Sequence, residues 1–156
     1  MRGVNEQRWL PAGFEHPRRV DLECGAHLRP IRGDDAGIDF PAVMGSRERL
    51  WEKYGEAWGW PPATMTLEQD RQDLERHQRE IAAHESFNYA VFNSGESELL
   101  GCVYLDPPER GQDCDVIVSW WVVDGCVGTP LERELNRFVP EWVTTVWPFR
   151  RPRFTP

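Results

Sequence analysis

The chain has 156 residues, a length at which a single domain can bury a sizeable core. Its apolar content of 40% and charged content of 28% exclude a disordered protein. The 26 acidic side chains outnumber the 18 basic ones, and the formal net charge of -8 repels phosphate backbones and anionic lipids. The composition therefore predicts a protein that binds neither nucleic acid nor membranes.

The cysteines and the N-terminal residues bear on the compartment. None of the four cysteines is in CxxC spacing, and the polar N-terminal stretch, interrupted by Pro11 and Pro17, does not resemble a signal peptide. No apolar run approaches the roughly 18 residues that span a bilayer. We therefore expect reduced thiols and a cytoplasmic location.

The first third of the chain predicts an arm, a strand and short helices. Residues 1–20 show no clear periodicity and are interpreted as an N-terminal arm. Residues 22–31 favour a first strand, which ends at Pro30 and the turn that follows it. Residues 34–60 indicate short helical pieces broken by Pro41 and by three glycines.

The clearest early helix begins at Thr66. The sequence Thr-Leu-Glu-Gln is typical of a capping box, in which Thr66 and Gln69 satisfy each other's backbone donors. The helix is expected to continue to about His84 with a narrow apolar stripe, so most of its surface should face solvent.

A hairpin and a buried strand are predicted next. Residues 87–93 and 99–105 are expected to pair around the turn Asn93-Ser94-Gly95-Glu96. Residues 113–123 are apolar at nearly every position in their second half, which indicates a central strand covered on both faces.

The last predicted elements are a glycine loop and a helix. Thr129 fits an N-cap, Pro130 the first helical position and Glu132 the third, so a second capping box is expected. Apolar residues recur with helical spacing from Leu131 to Val146, and Pro140 is expected to kink or divide this helix. Residues 151–156 are interpreted as a tail behind a domain of residues 21–150.

The order of these elements resembles the GNAT superfamily of acyl-CoA N-acyltransferases, in its RimJ/RimL-like branch. The resemblance covers residues 22–150 and rests on the order and spacing of three strands and a loop. These are Asn88–Phe92, Leu100–Leu105, Val118–Val122 and the Gly128-Thr129 pair that opens the last helix. It implies an α+β fold with a mixed, largely antiparallel sheet flanked by helices.

The resemblance also implies a cofactor site for acetyl-CoA as co-substrate. In such enzymes the central strand carries a bulge and offers backbone groups to the acyl-pantetheine, while the glycine loop presents amides to the pyrophosphate. The corresponding strand residues here are Trp121, Val122 and Val123. The corresponding loop residues are Gly125, Cys126, Val127, Gly128 and Thr129.

The chain departs from the family pattern at two places. Asp124 stands where the family has a basic or neutral residue, and Glu132 adds negative charge in the first helical turn, so both oppose a phosphate. The C-terminus is short for the family, and no tyrosine follows Tyr104 to protonate a leaving thiolate.

Three residues are candidates for catalysis, although plain structural roles compete for each. Asp115 and Glu85 could accept a proton from a substrate amine, or could be surface carboxylates. Ser119 is polar within an apolar run, which fits a site role or a hydroxyl that a neighbouring strand satisfies. No metal site is expected, because His77 and His84 share a helix face without a third ligand.

Two hypotheses follow. The first is an acetyl-CoA-dependent N-acetyltransferase, whose partners are an acyl-CoA and an amine of a small molecule or peptide that attacks the thioester directly. The second is a catalytically inactive GNAT-like binding or dimerisation module, which would form a homodimer. The first requires open, unopposed amides in the loop that follows the Trp120-Trp121 pair.

Overall fold

The computed structural model describes residues 8–155. Its centre is a six-stranded sheet in which the strands follow one another in chain order. The first four pairings are antiparallel, and only the last, between β5 and β6, is parallel. The predicted class, α+β with a largely antiparallel sheet, is confirmed. The strands are β1 (Val20–Asp21), β2 (His27–Pro30), β3 (Phe87–Phe92), β4 (Leu99–Asp106), β5 (Val116–Val122) and β6 (Pro152–Thr155).

Four helices cover the two faces of the sheet. Three of them precede β3 in the chain and lie on one face, where Tyr54 bonds Ser119 of β5. The fourth connects β5 to β6 and lies on the other face, where its Trp142 ring meets Tyr89 of β3 edge-on. The helices are α1 (Ala36–Gly45), α2 (Arg47–Trp58), α3 (Leu67–Ala82) and α4 (Pro130–Val146).

The helix ends follow the sequence only in part. The capping box at the start of α3 is confirmed, since the Gln69 amide donates to Thr66 Oγ1 and the Thr66 amide to Gln69 Oε1. At the start of α4 the predicted box is wrong, because the Thr129 hydroxyl donates to Cys126 O and Glu132 accepts from Gly128 N. Helix α4 also continues through Pro140 as one element.

The first predicted strand, residues 22–31, is correct only in its second half, which is β2, and the short strand β1 precedes it. Residues 22–26 form a turn between β1 and β2, closed by the Leu22 amide on Ala26 O. The hairpin of β3 and β4 is confirmed, and its turn is fixed by the Asn93 carboxamide, which accepts from the amides of Ser97 and Glu98. The irregularity in the sheet lies between Val91 and Phe92 of β3, whereas β4 and β5 pair without a register shift.

The predicted C-terminal tail, residues 151–156, contains a strand instead. Residues 152–155 are β6, which pairs with β5 from Val116↔Pro152 to Ser119↔Thr155. The prediction is wrong because β6 is only four residues long and begins at a proline, so it has no apolar alternation to reveal it. The described part of the predicted arm is also packed, since Leu10 is buried and the Trp9 ring lies 5.3 Å from that of Phe149.

One arginine near the start of the chain, Arg29, donates hydrogen bonds to two carboxylates. Arg29 bonds both carboxylate oxygens of Asp35 and both of Glu96, at 2.8–3.0 Å. The hydrogen bonds from Arg29, with one from His27, lower the pKa of Glu96 to about 2. The network joins β2 to the hairpin turn, so Arg29 is a structural residue.

None of the helices in residues 8–155 is both long and apolar enough to cross a bilayer.

A pair of buried carboxyl groups lies between α1 and α3. Asp39 and Asp70 are 3% and 2% exposed, and each carboxyl group lies close enough to influence the proton of the other. Burial, followed by the charge of Asp70, raises the pKa of Asp39 well above its usual value. A folded-state pKa raised in this way favours folding below the ordinary pKa of the group, and the contribution is lost as the pH rises.

We therefore expect Asp39→Asn to stabilise the protein at neutral and alkaline pH. The carboxamide keeps a donor for Asp70 but has no proton to lose, so the free energy of unfolding should rise by about 1–3 kcal/mol at about pH 8 and change little at about pH 4. Urea unfolding followed by circular dichroism across this range measures the difference.

The matched control is Glu75→Gln, which removes an exposed carboxylate of the same helix α3. Its curve should run parallel to that of the unmodified protein. If Asp39→Asn also runs parallel at every pH, the two carboxyl groups do not share a proton.

Candidate functional site

One edge of β5 faces away from β4. The Val123 amide donates to Leu100 O, so Val123 points its backbone towards β4. Since backbone groups alternate along an antiparallel strand, Trp121 also points towards β4 and pairs there with Cys102. Trp120 and Val122 consequently present their backbone groups to the opposite side, which we call the outer edge.

Two cationic side chains of helix α2 contact this outer edge. Lys53 Nζ donates to Trp120 O at 2.9 Å, and an Arg49 guanidinium nitrogen donates to Val122 O at 3.0 Å. Arg49 also bonds the Asp124 carboxylate at 2.7 Å. Strand β6 pairs with β5 only as far as Ser119, so the next carbonyls along the edge bond side chains and not a strand.

The register of β4 on β5 depends on a glycine at the same end of the sheet. A Cβ atom at Gly101 would collide with the carbonyl oxygen of Trp121. Any side chain there would push the two strands apart, because the obstacle is backbone and has no rotamer to change. Gly101 therefore fixes which backbone groups of β5 form the outer edge.

Lys53 has an unusual environment for a lysine. It is half-buried, and the pKa of its ammonium is lowered to about 8, first by burial and then by the charge of Arg49. Sequence reasoning missed Lys53, because a cation on an amphipathic helix is ordinarily a solvent-facing residue. One feature of the composition could have drawn attention to this residue, because Lys53 is the single lysine among the 18 basic side chains.

Most amides of the predicted phosphate cradle are not open. Three of these amides donate to carbonyls within the turn. The donors are the amides of Cys126, Val127 and Thr129, and the acceptors are Val123 O, Asp124 O and Cys126 O, respectively. The Asp124 amide donates to the Ser46 hydroxyl at 2.9 Å. The Gly128 amide donates to the Glu132 carboxylate at 2.8 Å, so a side chain of the first turn of α4 occupies the position expected for a phosphate.

Basic residues lie beside this loop in spite of the acidic chain. A shallow cavity of about 320 Å³ is lined by Arg133 and Arg137 of α4 and by residues 23–24. One carboxylate in it, Glu134, is already bonded by the amides of Glu23 and Cys24. The exposed guanidinium groups therefore provide positive charge next to the N-terminus of α4.

Aromatic side chains cover the sheet next to the outer edge. The Tyr54 and Trp58 rings stack at 4.4 Å, and Tyr104 meets both edge-on. The Ser119 hydroxyl accepts a hydrogen bond from Tyr54 at 3.0 Å and is buried. The partner of the Ser119 hydroxyl is thus a side chain of helix α2, whereas the structural alternative from the sequence was a neighbouring strand.

The two candidate general bases lie at the other end of the sheet. The Asp115 carboxylate accepts from the amides of Arg150 and Arg151 at 2.7 and 2.9 Å, and this holds the start of β6 against the start of β5. Glu85 is exposed in the connection between α3 and β3. Asp106, which sequence reasoning did not select, ends β4 there, and burial, with a smaller effect of Glu80, raises its pKa to about 7.

A larger cavity, of about 390 Å³, also lies at that end. It is lined by His16, Arg18, Arg32 and His84, and the two imidazoles are 3.1 Å apart. It shares no residue with the loop after β5. Residues 8–155 contain no group of three side chains placed to hold a metal ion.

Comparison with known proteins identifies the fold. No protein-family model matches the chain, and no curated protein matches it in sequence. A ribosomal-protein-S5-alanine acetyltransferase from Vibrio fischeri superposes with a TM-score of 0.57 at 18% identity, over 83% of this chain and 66% of that one. RimL in complex with coenzyme A gives a TM-score of 0.62 at 13% identity, over 80% and 67%. The microcin C7 self-immunity acetyltransferase MccE, in complex with acetyl-CoA and AMP, gives 0.60 at 10% identity, over 85% and 71%.

The chain therefore has the GNAT fold, in the form seen in RimJ/RimL-type ribosomal-protein acetyltransferases, and the predicted resemblance is confirmed at the level of the fold. It spans about two thirds of the length of these structures. The acylation chemistry named for them is theirs, and for this chain it is a proposal.

We expect Asp115→Ala to destabilise the protein, since two backbone amides lose a charged acceptor. The free energy of unfolding should fall by about 1–3 kcal/mol, whereas Glu85→Ala, which removes an exposed carboxylate, should change it by less than about 0.5 kcal/mol. Urea unfolding measures both. Equal effects of the two substitutions would contradict the structural role of Asp115.

Proposed function

We propose that the chain is an acyl-CoA-dependent N-acyltransferase that acetylates an amine of a small molecule or peptide. The observation that carries this proposal is the outer edge of β5. Trp120 and Val122 present backbone carbonyls there that are bonded by two long side chains and not by a strand. An extended ligand with amide groups, such as the pantetheine arm of an acyl-CoA, bonds an edge of this kind in the manner of an added strand.

The edge fits such a ligand once two side chains are displaced. Lys53 and Arg49 are both partly exposed, and each carries its charged group on a flexible aliphatic stem. Their charged groups can therefore exchange the carbonyl partner for water at little cost in free energy. The amides of the arm would then donate to the carbonyls of Trp120 and Val122. Trp121 and Val123, which sequence reasoning included, would contribute little through their backbone groups, because these face β4.

The phosphates of the cofactor fit the loop less well. Gly125, Cys126, Val127, Gly128 and Thr129 remain the proposed cradle, with Arg133 and Arg137 as further cationic contacts at its border. The Glu132 carboxylate would have to leave the Gly128 amide before an anion could take its place. Three turn bonds within the loop would stay, so the cradle would offer fewer amides than a fully open one.

The reaction would proceed in a ternary complex. A neutral amine attacks the thioester carbonyl, the carbon–sulfur bond breaks and coenzyme A leaves, with no acyl-enzyme on the path. The structural neighbours support the transfer of an acetyl group, since they are acetyltransferases, one in complex with coenzyme A and one with acetyl-CoA. Asp115 and Glu85 are too far along the sheet to serve as its base, and we propose neither.

A second function is favoured by the occupied loop. If Glu132 and Ser46 hold the amides of Gly128 and Asp124 permanently, the chain is a GNAT-fold binding or dimerisation module that takes no cofactor. The acidic loop, with Asp124 exposed, favours this alternative as well. A cytoplasmic location fits either function and stays a prediction.

Calorimetric titration with coenzyme A separates the two functions. The transferase should bind it, and Glu132→Gln should tighten binding about three- to tenfold, because the charge that repels phosphate is removed and the neutral carboxamide accepts from the Gly128 amide more weakly than the carboxylate does. A parallel rise in melting temperature is expected, as ligand at 100 times its dissociation constant stabilises by about 2.7 kcal/mol.

The matched control is Glu141→Gln, an exposed carboxylate in the second half of the same helix. It should leave the affinity unchanged. Absence of binding by both the unmodified protein and Glu132→Gln at about millimolar coenzyme A would end the transferase proposal in favour of the module.

A further inference from the structure

The only lysine in the chain lies on the outer edge of β5. The other 17 basic side chains are arginines, including Arg49, which makes the equivalent contact one turn earlier on α2. A guanidinium remains charged at any physiological pH, whereas an ammonium can lose its proton and become a nucleophile. Lys53 therefore brings to this edge a reactivity that no other cation of the chain has.

The surroundings of Lys53 act on its proton in both directions. Its Nζ atom donates to Trp120 O at 2.9 Å and lies 5.6 Å from the centre of the Tyr54 ring, and both contacts suit an ammonium. Burial and the like charge of Arg49 act the other way and favour the neutral amine. No carboxylate forms an ion pair with it within residues 8–155. Burial and Arg49 together lower its pKa from 10.5 to about 8, so about half of the amine is neutral near pH 8.

We propose that Lys53 is itself an acyl acceptor, modified at Nζ by an acyl-CoA bound along the outer edge of β5. This inference rests on the transferase function proposed above and names one acceptor for it. The contact to Trp120 O places the amine at the short stretch of strand that the cofactor arm would bond, and when the arm takes that carbonyl the flexible Lys53 side chain moves aside while its amine stays next to the arm.

The step balances without any further reactant. The Nζ lone pair attacks the thioester carbonyl carbon, a carbon–nitrogen bond forms and the carbon–sulfur bond breaks. Coenzyme A leaves as the thiolate and is protonated by the proton that the nitrogen releases. The product amide has no charge, and its remaining N–H can still donate to Trp120 O, while the added acyl group occupies space at the edge.

Mass spectrometry of the intact protein tests this directly. The folded chain is incubated with acetyl-CoA at about pH 8, and the acetylated residue is located by peptide mapping, which separates Lys53 from the α-amino group. We expect one acetyl group at Lys53. The rate should be at least about tenfold above that of the same chain unfolded in urea, in which the pKa of the lysine is ordinary and no cofactor site exists.

Two controls distinguish bound cofactor from general reactivity. Lys53→Arg keeps a cation on Trp120 O and should fold normally by circular dichroism but incorporate nothing at position 53. Acetyl-N-acetylcysteamine, a thioester without the nucleotide, should react with the folded chain at least about tenfold more slowly than acetyl-CoA at equal concentration, and excess coenzyme A should slow only the acetyl-CoA reaction.

The outcomes separate this inference from the transferase proposal. Coenzyme A binding by calorimetry without acetylation of Lys53 overturns the inference and leaves the transferase intact. Equal rates in the folded and unfolded chains, or with the two thioesters, also overturn it. Absence of both binding and acetylation removes both proposals together.

Discussion

The parallel contact between β5 and β6 depends on Asp115. Its carboxylate accepts the amides of Arg150 and Arg151, and its own amide donates to Arg151 O, so one residue brings two distant segments into register. Parallel neighbours need a crossover between them, and α4 provides it. Because β6 is held at the start of β5, the far half of that strand is left to contact helix α2. The geometry of the candidate site thus originates at the opposite end of the sheet.

The candidate site is covered by the chain's own polar groups. Two cations of α2 take the carbonyls that an extended ligand would use, and a carboxylate takes an amide that a phosphate would use. These partners are side chains, and the chain can exchange them without breaking the sheet. If these contacts never exchange, the same residues form a permanent surface that takes no cofactor, as in the binding or dimerisation module. Whether Glu132 yields to an anion is therefore the difference between the two functions.

Features decided by near neighbours were more predictable from the sequence than features that join distant segments. The α4 capping box is an exception among the local features, because Glu132 accepts from Gly128 and not from Thr129. The α3 capping box and the β3–β4 hairpin are decided within a few residues, and both are confirmed. The sequence suggested Asp115 as a possible base and did not reveal its structural role. The two amides that it accepts from are 35 and 36 residues away, and local sequence patterns do not show contacts at that separation. Strand β6 is too short to show alternation. Lys53 contacts a strand 67 residues further on, although its being the single lysine could have been counted.

The pair between Arg49 and Asp124 has a consequence for ionic strength. Its two side chains are 39% and 55% exposed, so dissolved ions weaken their attraction. Added salt would loosen the arginine that covers the edge of the sheet, and it would also weaken the pull of Arg133 and Arg137 on a polyanion. The two effects act in opposite directions. An intermediate salt concentration, at which the cover is loose and the local attraction of the two arginines persists, would then admit a charged ligand best.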